Sequence, residues 1–132
     1  MHPFLKSGLA VLAGIFVGGI ANFLLNYYLS YLIPPPDGVD VSNIESIKAN
    51  IHLYKPIHFL FPFLAHSLGS FSGAVLAIKI SKQTKIAYMV ALVFLYGGIS
   101  MVTQVPSPMW FTVLDLGIAY IPMAWLATKM SS

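Results

Sequence analysis

Four long hydrophobic runs, separated by segments rich in polar residues or proline, dominate the sequence. Within the runs, apolar residues follow one another without the strict alternation that a half-buried strand shows. A helix of roughly 17–25 residues, rising 1.5 Å per residue, crosses the hydrocarbon core of a bilayer. The pattern therefore predicts membrane-spanning helices at about residues 8–33, 57–80, 86–102 and 109–128.

The composition supports this interpretation and excludes several classes of protein. Apolar residues make up 58% of the 132 residues and charged residues 8%, and the mean hydropathy is +0.81. An average soluble domain has roughly 45–50% apolar and about 25% charged residues. A soluble enzyme domain, a disordered chain and a nucleic-acid binder are therefore excluded. We predict a single all-α transmembrane domain over residues 1–132: a four-transmembrane-helix bundle with a short amphipathic helix in its first outer loop.

The first run follows Lys6 and could be confused with a signal peptide. The apolar core of a signal peptide is about 7–15 residues long, which is shorter than this run, and no clear cleavage site follows it. We therefore expect the first run to be a retained helix.

The distribution of lysines predicts the orientation in the membrane. Five of the seven basic residues lie near the termini or around the turn between the second and third helices, and two lie in the loop after the first helix. Because basic residues are in excess on the cytoplasmic side, we expect a multi-pass protein with both termini in the cytoplasm. The five are Lys6, Lys79, Lys82, Lys85 and Lys129, and the two are Lys48 and Lys55.

The first outer loop has the features of a short surface helix. Three prolines at residues 34–36 end the first helix. Ser42 and Glu45 fit a capping box with Ser42 as the N-cap. Apolar residues then recur at helical spacing, which predicts an amphipathic interfacial helix at about residues 43–54. The pattern fits either a helix packed on the ends of the first two spans or a lid over a cavity.

Small residues recur at every fourth position in the first two spans. The first span carries Gly14 and Gly18, the second carries Gly69 and Gly73, and alanines continue both stripes. Small residues at this spacing allow two helix backbones to approach closely. We predict that these two spans form a close pair, either within one chain or between two chains.

Asp115 is the acidic residue that lies within a hydrophobic run, which makes it the first candidate for a functional group. A mid-bilayer aspartate costs about 2.5–3.5 kcal/mol on insertion scales, so its side chain should face the bundle interior and take a partner. Helix lengths place several polar residues in the same outer half of the membrane as Asp115. The predicted proton-binding or ligand-binding cluster is Asp115, His66, Asn22 and Asn26, with His58 nearer the outer surface.

Three interpretations of this cluster remain open. Asp115 could form a structural pair with His66 or an asparagine, bind a proton or ligand in an outward cavity, or act at a helix end or interface. A metal site needs at least three ligands, and His58 and His66 do not share a helix face. We therefore predict neither a metal site nor a bound cofactor. A continuous fourth helix places Tyr120 on a different face from Asp115.

Three stretches resemble a group of small bacterial four-helix membrane proteins without an assigned function. They are PPPDGVD at 34–40, AHSLGSFSGA at 65–74 and PSPMWFTVLDLGIAYIPMAW at 106–125. Together with the helix pattern, the resemblance covers nearly the whole chain. It implies the four-helix count and a place in the bacterial inner membrane, and it implies no particular activity.

The sequence leaves three functions open. Since no motif of a known catalytic site is present, we expect first a non-enzymatic protein that acts through helix packing. Its partners would be the lipid bilayer and either a larger membrane complex, as an accessory subunit, or copies of itself, as a homo-oligomer. The alternative is a proton-coupled or small-solute transporter or channel that uses Asp115 and His66. A membrane enzyme acting on lipid or quinone is the third.

Overall fold

The computed structural model describes residues 1–131, and every regular element within them is helical. The elements are α1 (Pro3–Leu29), α2 (Ile44–Asn50), a 3-10 turn (Ile51–Leu53), α3 (Ile57–Ser81), α4 (Ile86–Gln104), α5 (Met109–Ile118) and α6 (Ile121–Ser131). Four segments of this described part are long and apolar enough to cross a membrane, namely α1, α3, α4, and α5 together with α6. The predicted four-helix membrane bundle is confirmed.

The connections define two ends of the bundle. A short turn at residues 82–85 joins α3 to α4, and residues 105–108 join α4 to α5 at the opposite end. We call the end with both termini and residues 82–85 the terminal end. We call the end with residues 30–56 and 105–108 the loop end.

The most extensive contact in the bundle joins α1 and α3. A Cβ atom built on Gly18 would lie 2.6 Å from the carbonyl oxygen of Gly69, and one built on Gly14 would lie 2.6 Å from that of Gly73. The two backbones therefore touch without room for a methyl group. Because Gly14 meets Gly73 while Gly18 meets Gly69, the two helices are antiparallel. The two glycine stripes meet within one chain.

Alanines form the core between α3, α4 and α6. Five alanines of this core have no exposed surface. Small side chains bring the helices close enough for dispersion to replace the hydrophobic drive that is absent between helices in lipid. Large apolar side chains such as Leu12 and Phe16 instead lie on the outer surface, as lipid-facing residues do. The core alanines are Ala74, Ala87, Ala91, Ala124 and Ala127.

The first span differs from its predicted bounds at both ends. It begins at Pro3 rather than near residue 8, and His2 caps it, with Nδ1 accepting a hydrogen bond from the amide of Phe4 at 3.2 Å. It ends at Leu29 rather than near residue 33. Residues directly before a proline disfavour the helical conformation, and the prolines at 34–36 follow closely, so residues 30–33 form turns instead.

The surface helix α2 is present, but Ser42 is not its N-cap as predicted. Asn43 is the N-cap, and its side-chain oxygen accepts a hydrogen bond from the amide of Glu45 at 3.0 Å. Ser42 is engaged elsewhere, because its hydroxyl and amide both donate to the carboxylate of Asp40, at 2.6 and 3.0 Å. These two hydrogen bonds lower the pKa of Asp40 from its ordinary value. The helix itself is also shorter than predicted and continues as the 3-10 turn.

The fourth span is two helices rather than the single helix predicted at about residues 109–128. The helical pattern breaks between Ile118 and Ile121, at Ala119 and Tyr120. Pro122 explains the position of the break, because it has no amide to donate to the carbonyl of Ile118 and its ring crowds that carbonyl. Residues 119 and 120 form a bend, so the residues after them need not keep the helical phase of α5.

An aromatic cluster at the loop end joins the start of α5 to the start of α3. The rings of Phe59 and Phe111, both buried, have centroids 4.7 Å apart. Phe59 also contacts Trp110 edge to face and Tyr54 at an intermediate tilt, both at 5.6 Å. Ring pairs at these distances add about 0.5–1.5 kcal/mol beyond the apolar area that they bury. This aromatic cluster packs the start of α5, the helix that carries Asp115, against the start of α3.

Candidate intramembrane polar site

His66 and Asp115 form a hydrogen-bonded pair inside the bundle. Nδ1 of His66, on α3, lies 2.9 Å from Oδ1 of Asp115, on α5. The side chain of Asp115 is 7% exposed and that of His66 is 25% exposed. The carboxylate therefore lies deep in the bundle, while the imidazole reaches toward its surface.

Tyr120 completes this pair, although a continuous helix would direct it to another face. Its hydroxyl donates to Oδ2 of Asp115 at 3.2 Å, and its ring stacks on the ring of His66 with centroids 6.1 Å apart. The break after Ile118 makes this position possible, because it changes the direction of the residues that follow. The sequence signal that points to Tyr120 is Pro122, which marks the break two residues further on.

Gly98 of α4 provides the space that the Tyr120 hydroxyl occupies. A Cβ atom built on Gly98 would lie 2.6 Å from that oxygen. Any larger residue would displace the phenol from Asp115. Residues from α3, α4, α5 and the α5–α6 junction thus position the three groups, which we call the His66–Asp115–Tyr120 site.

The site borders a cavity of about 230 Å³ between α1 and α4. Phe94 lies against Gly18 and closes the cleft between these helices on the side of the terminal end. On the outer side the wall includes Gly97 and Met101, both exposed on the surface of the bundle. The cavity therefore opens sideways, toward the surface that lipid covers in a membrane. Its lining consists of Asn22, His66, Phe94, Gly97, Gly98, Met101 and Tyr120.

The two predicted asparagines lie beside the site on α1. Asn22 lines the same cavity as His66, and it packs on Gly69, where an added Cβ atom would be 2.9 Å from that of Asn22. Nδ2 of Asn26 donates to Oδ1 of Asn22 at 3.0 Å. Asn22 therefore shares the cavity with the site, while Asn26 is connected to the cavity through its hydrogen bond to Asn22.

His58 is separate from the site. It lies in the first turn of α3, where Nδ1 accepts a hydrogen bond from the amide of Lys55 at 2.8 Å and its ring contacts Tyr54. This arrangement satisfies a backbone donor in the loop just before the helix. His58 thus has a partner in the loop before α3, at the loop end, and is not part of the cluster.

The depth of the site follows from the lengths of the helices. Asn22 lies seven residues before the end of α1, and Asp115 lies six residues after the start of α5. At 1.5 Å per residue both are roughly 10 Å from the loop end. The site therefore lies within the hydrophobic part of the spans and on the loop side of their middle.

The polar groups of the site are of the kinds that bind protons and hydrogen-bonding ligands. Within residues 1–131 no group of three or more histidine or acidic side chains is close enough to hold a metal ion. Oδ1 of Asp115 shares a hydrogen bond with the imidazole of His66, and Oδ2 accepts one from the phenol of Tyr120. Nε2 of His66, on the cavity wall, makes no hydrogen bond with any described residue. That nitrogen can take or release a proton, or bind a ligand.

These features define a class of protein: a four-helix membrane bundle with a carboxylate, imidazole and phenol site open to a lateral cavity. Comparison with known proteins adds no family to this description. The chain matches no family model, no curated protein and no solved structure.

Proposed function

We propose that this chain binds a proton or a small solute at the His66–Asp115–Tyr120 site, as a proton-coupled or small-solute transporter does. One observation carries the proposal. Asp115 is buried and fully engaged, yet its partner His66 remains a quarter exposed on a cavity with Nε2 unpaired. A purely structural pair would explain the bonded nitrogen of His66 but not the unpaired one. Ionisable residues within membrane spans mark proton and substrate sites by default.

The pair can exchange a proton without a large change in its geometry. With the proton on His66 and Asp115 ionised, the pair has no net charge, and without that proton it carries one negative charge. The hydroxyl of Tyr120 donates to the same carboxylate in either state. Orientation of an imidazole by a carboxylate on one nitrogen, with the other nitrogen free, is the usual arrangement of a histidine that transfers protons. The test is pH-dependent flux in liposomes that contain wild-type protein or the Asp115→Asn variant.

A second candidate function is that of an accessory subunit or a homo-oligomer that acts through helix packing. The alanine core favours it, because fully buried residues fill the bundle between the cavity and the terminal end. A route for solute through one copy in this conformation is therefore absent from the described part of the chain. Transport would then need a second copy, a partner or a conformational change.

Native mass spectrometry of protein extracted from its own membrane in mild detergent separates these possibilities. For a transporter we expect a homo-oligomer that contains this chain alone. A stoichiometric larger partner would instead support the accessory role, and Asp115 would then serve helix packing. A lone monomer with activity would contradict the packing proposal.

We propose that the protein lies in a bacterial inner membrane with its terminal end in the cytoplasm. The support is the excess of lysines at that end, five against two. Because the sequence has no cysteine, single-cysteine variants report sidedness without background. We expect a membrane-impermeant maleimide applied to spheroplasts to label Ala49→Cys, in α2, and to label Thr84→Cys only after permeabilisation. Both residues are exposed, so the reverse pattern would show the opposite orientation.

A further inference from the structure

The lateral cavity is large enough to hold one ring-sized occupant. A dry apolar cavity of about 150 Å³ accepts one benzene molecule, and this cavity has about 230 Å³. It therefore has room for one six-membered ring with a substituent. Its side opening, at Gly97 and Met101, faces lipid, so the occupant reaches it from the membrane rather than through the core.

The walls of the cavity favour a flat apolar ring. Phe94 supplies an aromatic wall and Met101 a thioether, and both side-chain types pack favourably against aromatic rings. Gly97 has open space where a Cβ atom would stand, whereas the Tyr120 hydroxyl fills the corresponding space beside Gly98.

The polar groups of the cavity require a ligand that both donates and accepts hydrogen bonds. When the Asp115 carboxylate accepts from Nδ1 of His66 and from Tyr120, Nε2 of a neutral imidazole carries a lone pair and accepts. Oδ1 of Asn22 is occupied by Asn26, which leaves the Asn22 amide hydrogens to donate. A hydroxyl group can donate to one partner and accept from the other, whereas an ether or a carbonyl only accepts.

Resting on the function proposed above, we propose that the cavity binds a hydroxylated aromatic ring from the membrane. This chemistry includes simple phenols and the reduced ring of a quinol. Its ring fills the space between Phe94 and Met101, and its hydroxyl group donates to Nε2 of His66. The proposal concerns binding, and proton exchange at His66 is compatible with it.

The test compares three probes of similar size on the full chain in detergent micelles with isotope-labelled histidine. Phenol donates and accepts hydrogen bonds, anisole only accepts, and toluene does neither. We expect phenol to change the Nε2 chemical shift of His66 saturably, with anisole and toluene about tenfold weaker, as the loss of one hydrogen bond implies. His52 and His58, which lie outside the cavity, provide reference signals in the same sample. Equal binding of anisole and phenol, or no saturable shift with phenol, would overturn the proposal.

A pair of glycine variants guards against loss of the site by unfolding. Gly97→Leu places a side chain at the mouth of the cavity and leaves every polar group in place, so phenol binding should fall at least about tenfold. Gly19→Leu is the matched control, because a Cβ atom at either glycine has no neighbour within 4 Å, and Gly19 does not line the cavity. The same loss in both variants would contradict the assignment of the cavity.

Two further comparisons identify the source of the ligand and separate this inference from the proposed function. Binding of 4-hexylphenol as well as phenol supports a lipid with a phenolic head, and binding of phenol alone supports a small free solute. If flux depends on Asp115 but phenol does not bind, the ligand class is wrong and the proposed function stands. If phenol binds but flux does not depend on Asp115, the cavity is a ligand site without proton coupling.

Discussion

Replacing Gly18 with alanine should lower the midpoint of thermal unfolding, while the same change at its neighbour Gly19 should raise it or leave it unchanged. A Cβ atom at Gly18 would lie 2.6 Å from the Gly69 carbonyl oxygen and 2.8 Å from the Phe94 ring, and a backbone oxygen cannot move aside without separating α1 from α3. Overpacking of this kind costs about 1–3 kcal/mol. That exceeds the gain in helix propensity from glycine to alanine, which is about 1 kcal/mol.

The adjacent position makes this a controlled comparison. A Cβ atom at Gly19 has no neighbour within 4 Å, so only the propensity gain remains. Tryptophan fluorescence in mild detergent measures both midpoints, and we expect them to differ by roughly 5–10 °C. Gly14→Ala should behave like Gly18→Ala, because its Cβ atom would meet Gly73 at 2.6 Å. Equal midpoints for Gly18→Ala and Gly19→Ala would contradict the close contact between α1 and α3.

Replacing Asp115 with asparagine should abolish pH-dependent flux while the fold survives. The amide has almost the same shape as the carboxylate, so its oxygen can still accept from Tyr120 and its nitrogen can donate to Nδ1 of His66. Both neighbours thus keep a partner, and we expect the free energy of unfolding to change by no more than about 1–2 kcal/mol. The amide cannot ionise, however, and so cannot balance a proton on His66.

The measurement is proton or solute flux into liposomes at several pH values, with unfolding midpoints recorded on the same preparations. His52→Gln is the control for loss of a histidine, because His52 lies in the 3-10 turn at the loop end and away from the cavity. Tyr120→Phe removes the hydroxyl alone and should weaken the pH dependence without abolishing it. Flux that keeps its pH dependence in Asp115→Asn would remove Asp115 from the mechanism.

The sequence predicts those parts of the fold that follow from local chemistry. Four apolar runs predict four spans, because only their length and hydropathy matter for crossing a membrane. The positions of Gly14 and Gly18 predict a face that another backbone can approach. They do not show whether that backbone belongs to the same chain or to a second copy, because both kinds of contact need small residues at the same four-residue spacing.

The remaining features depend on competition between neighbours that sequence patterns do not resolve. Ser42 satisfies the pattern of a capping box as well as Asn43 satisfies that of an N-cap, and the hydrogen bonds between Ser42 and Asp40 decide between them. The sequence pattern predicts Tyr120 on another face of the fourth helix, because an unbroken helix places its residues at a constant angular spacing. Pro122 marks the break, but the sequence does not give the change in direction that brings the phenol to Asp115.

Because of the break in the fourth span, α5 is a short separate helix that can tilt about Ala119, next to the site. α6 packs more extensively on α3 and α4 than α5 does, so of the two helices α5 is the freer to move. Asp115 lies four residues before Ala119, so a tilt of α5 by about 10° at Ala119 displaces Asp115 by roughly 1 Å. A displacement of that size away from α3 is enough to break the hydrogen bond to His66. The other end of α5 is held by the aromatic cluster around Phe59 and Trp110, so this short helix connects the surface of the protein at the loop end with the carboxyl group of Asp115 inside the bundle.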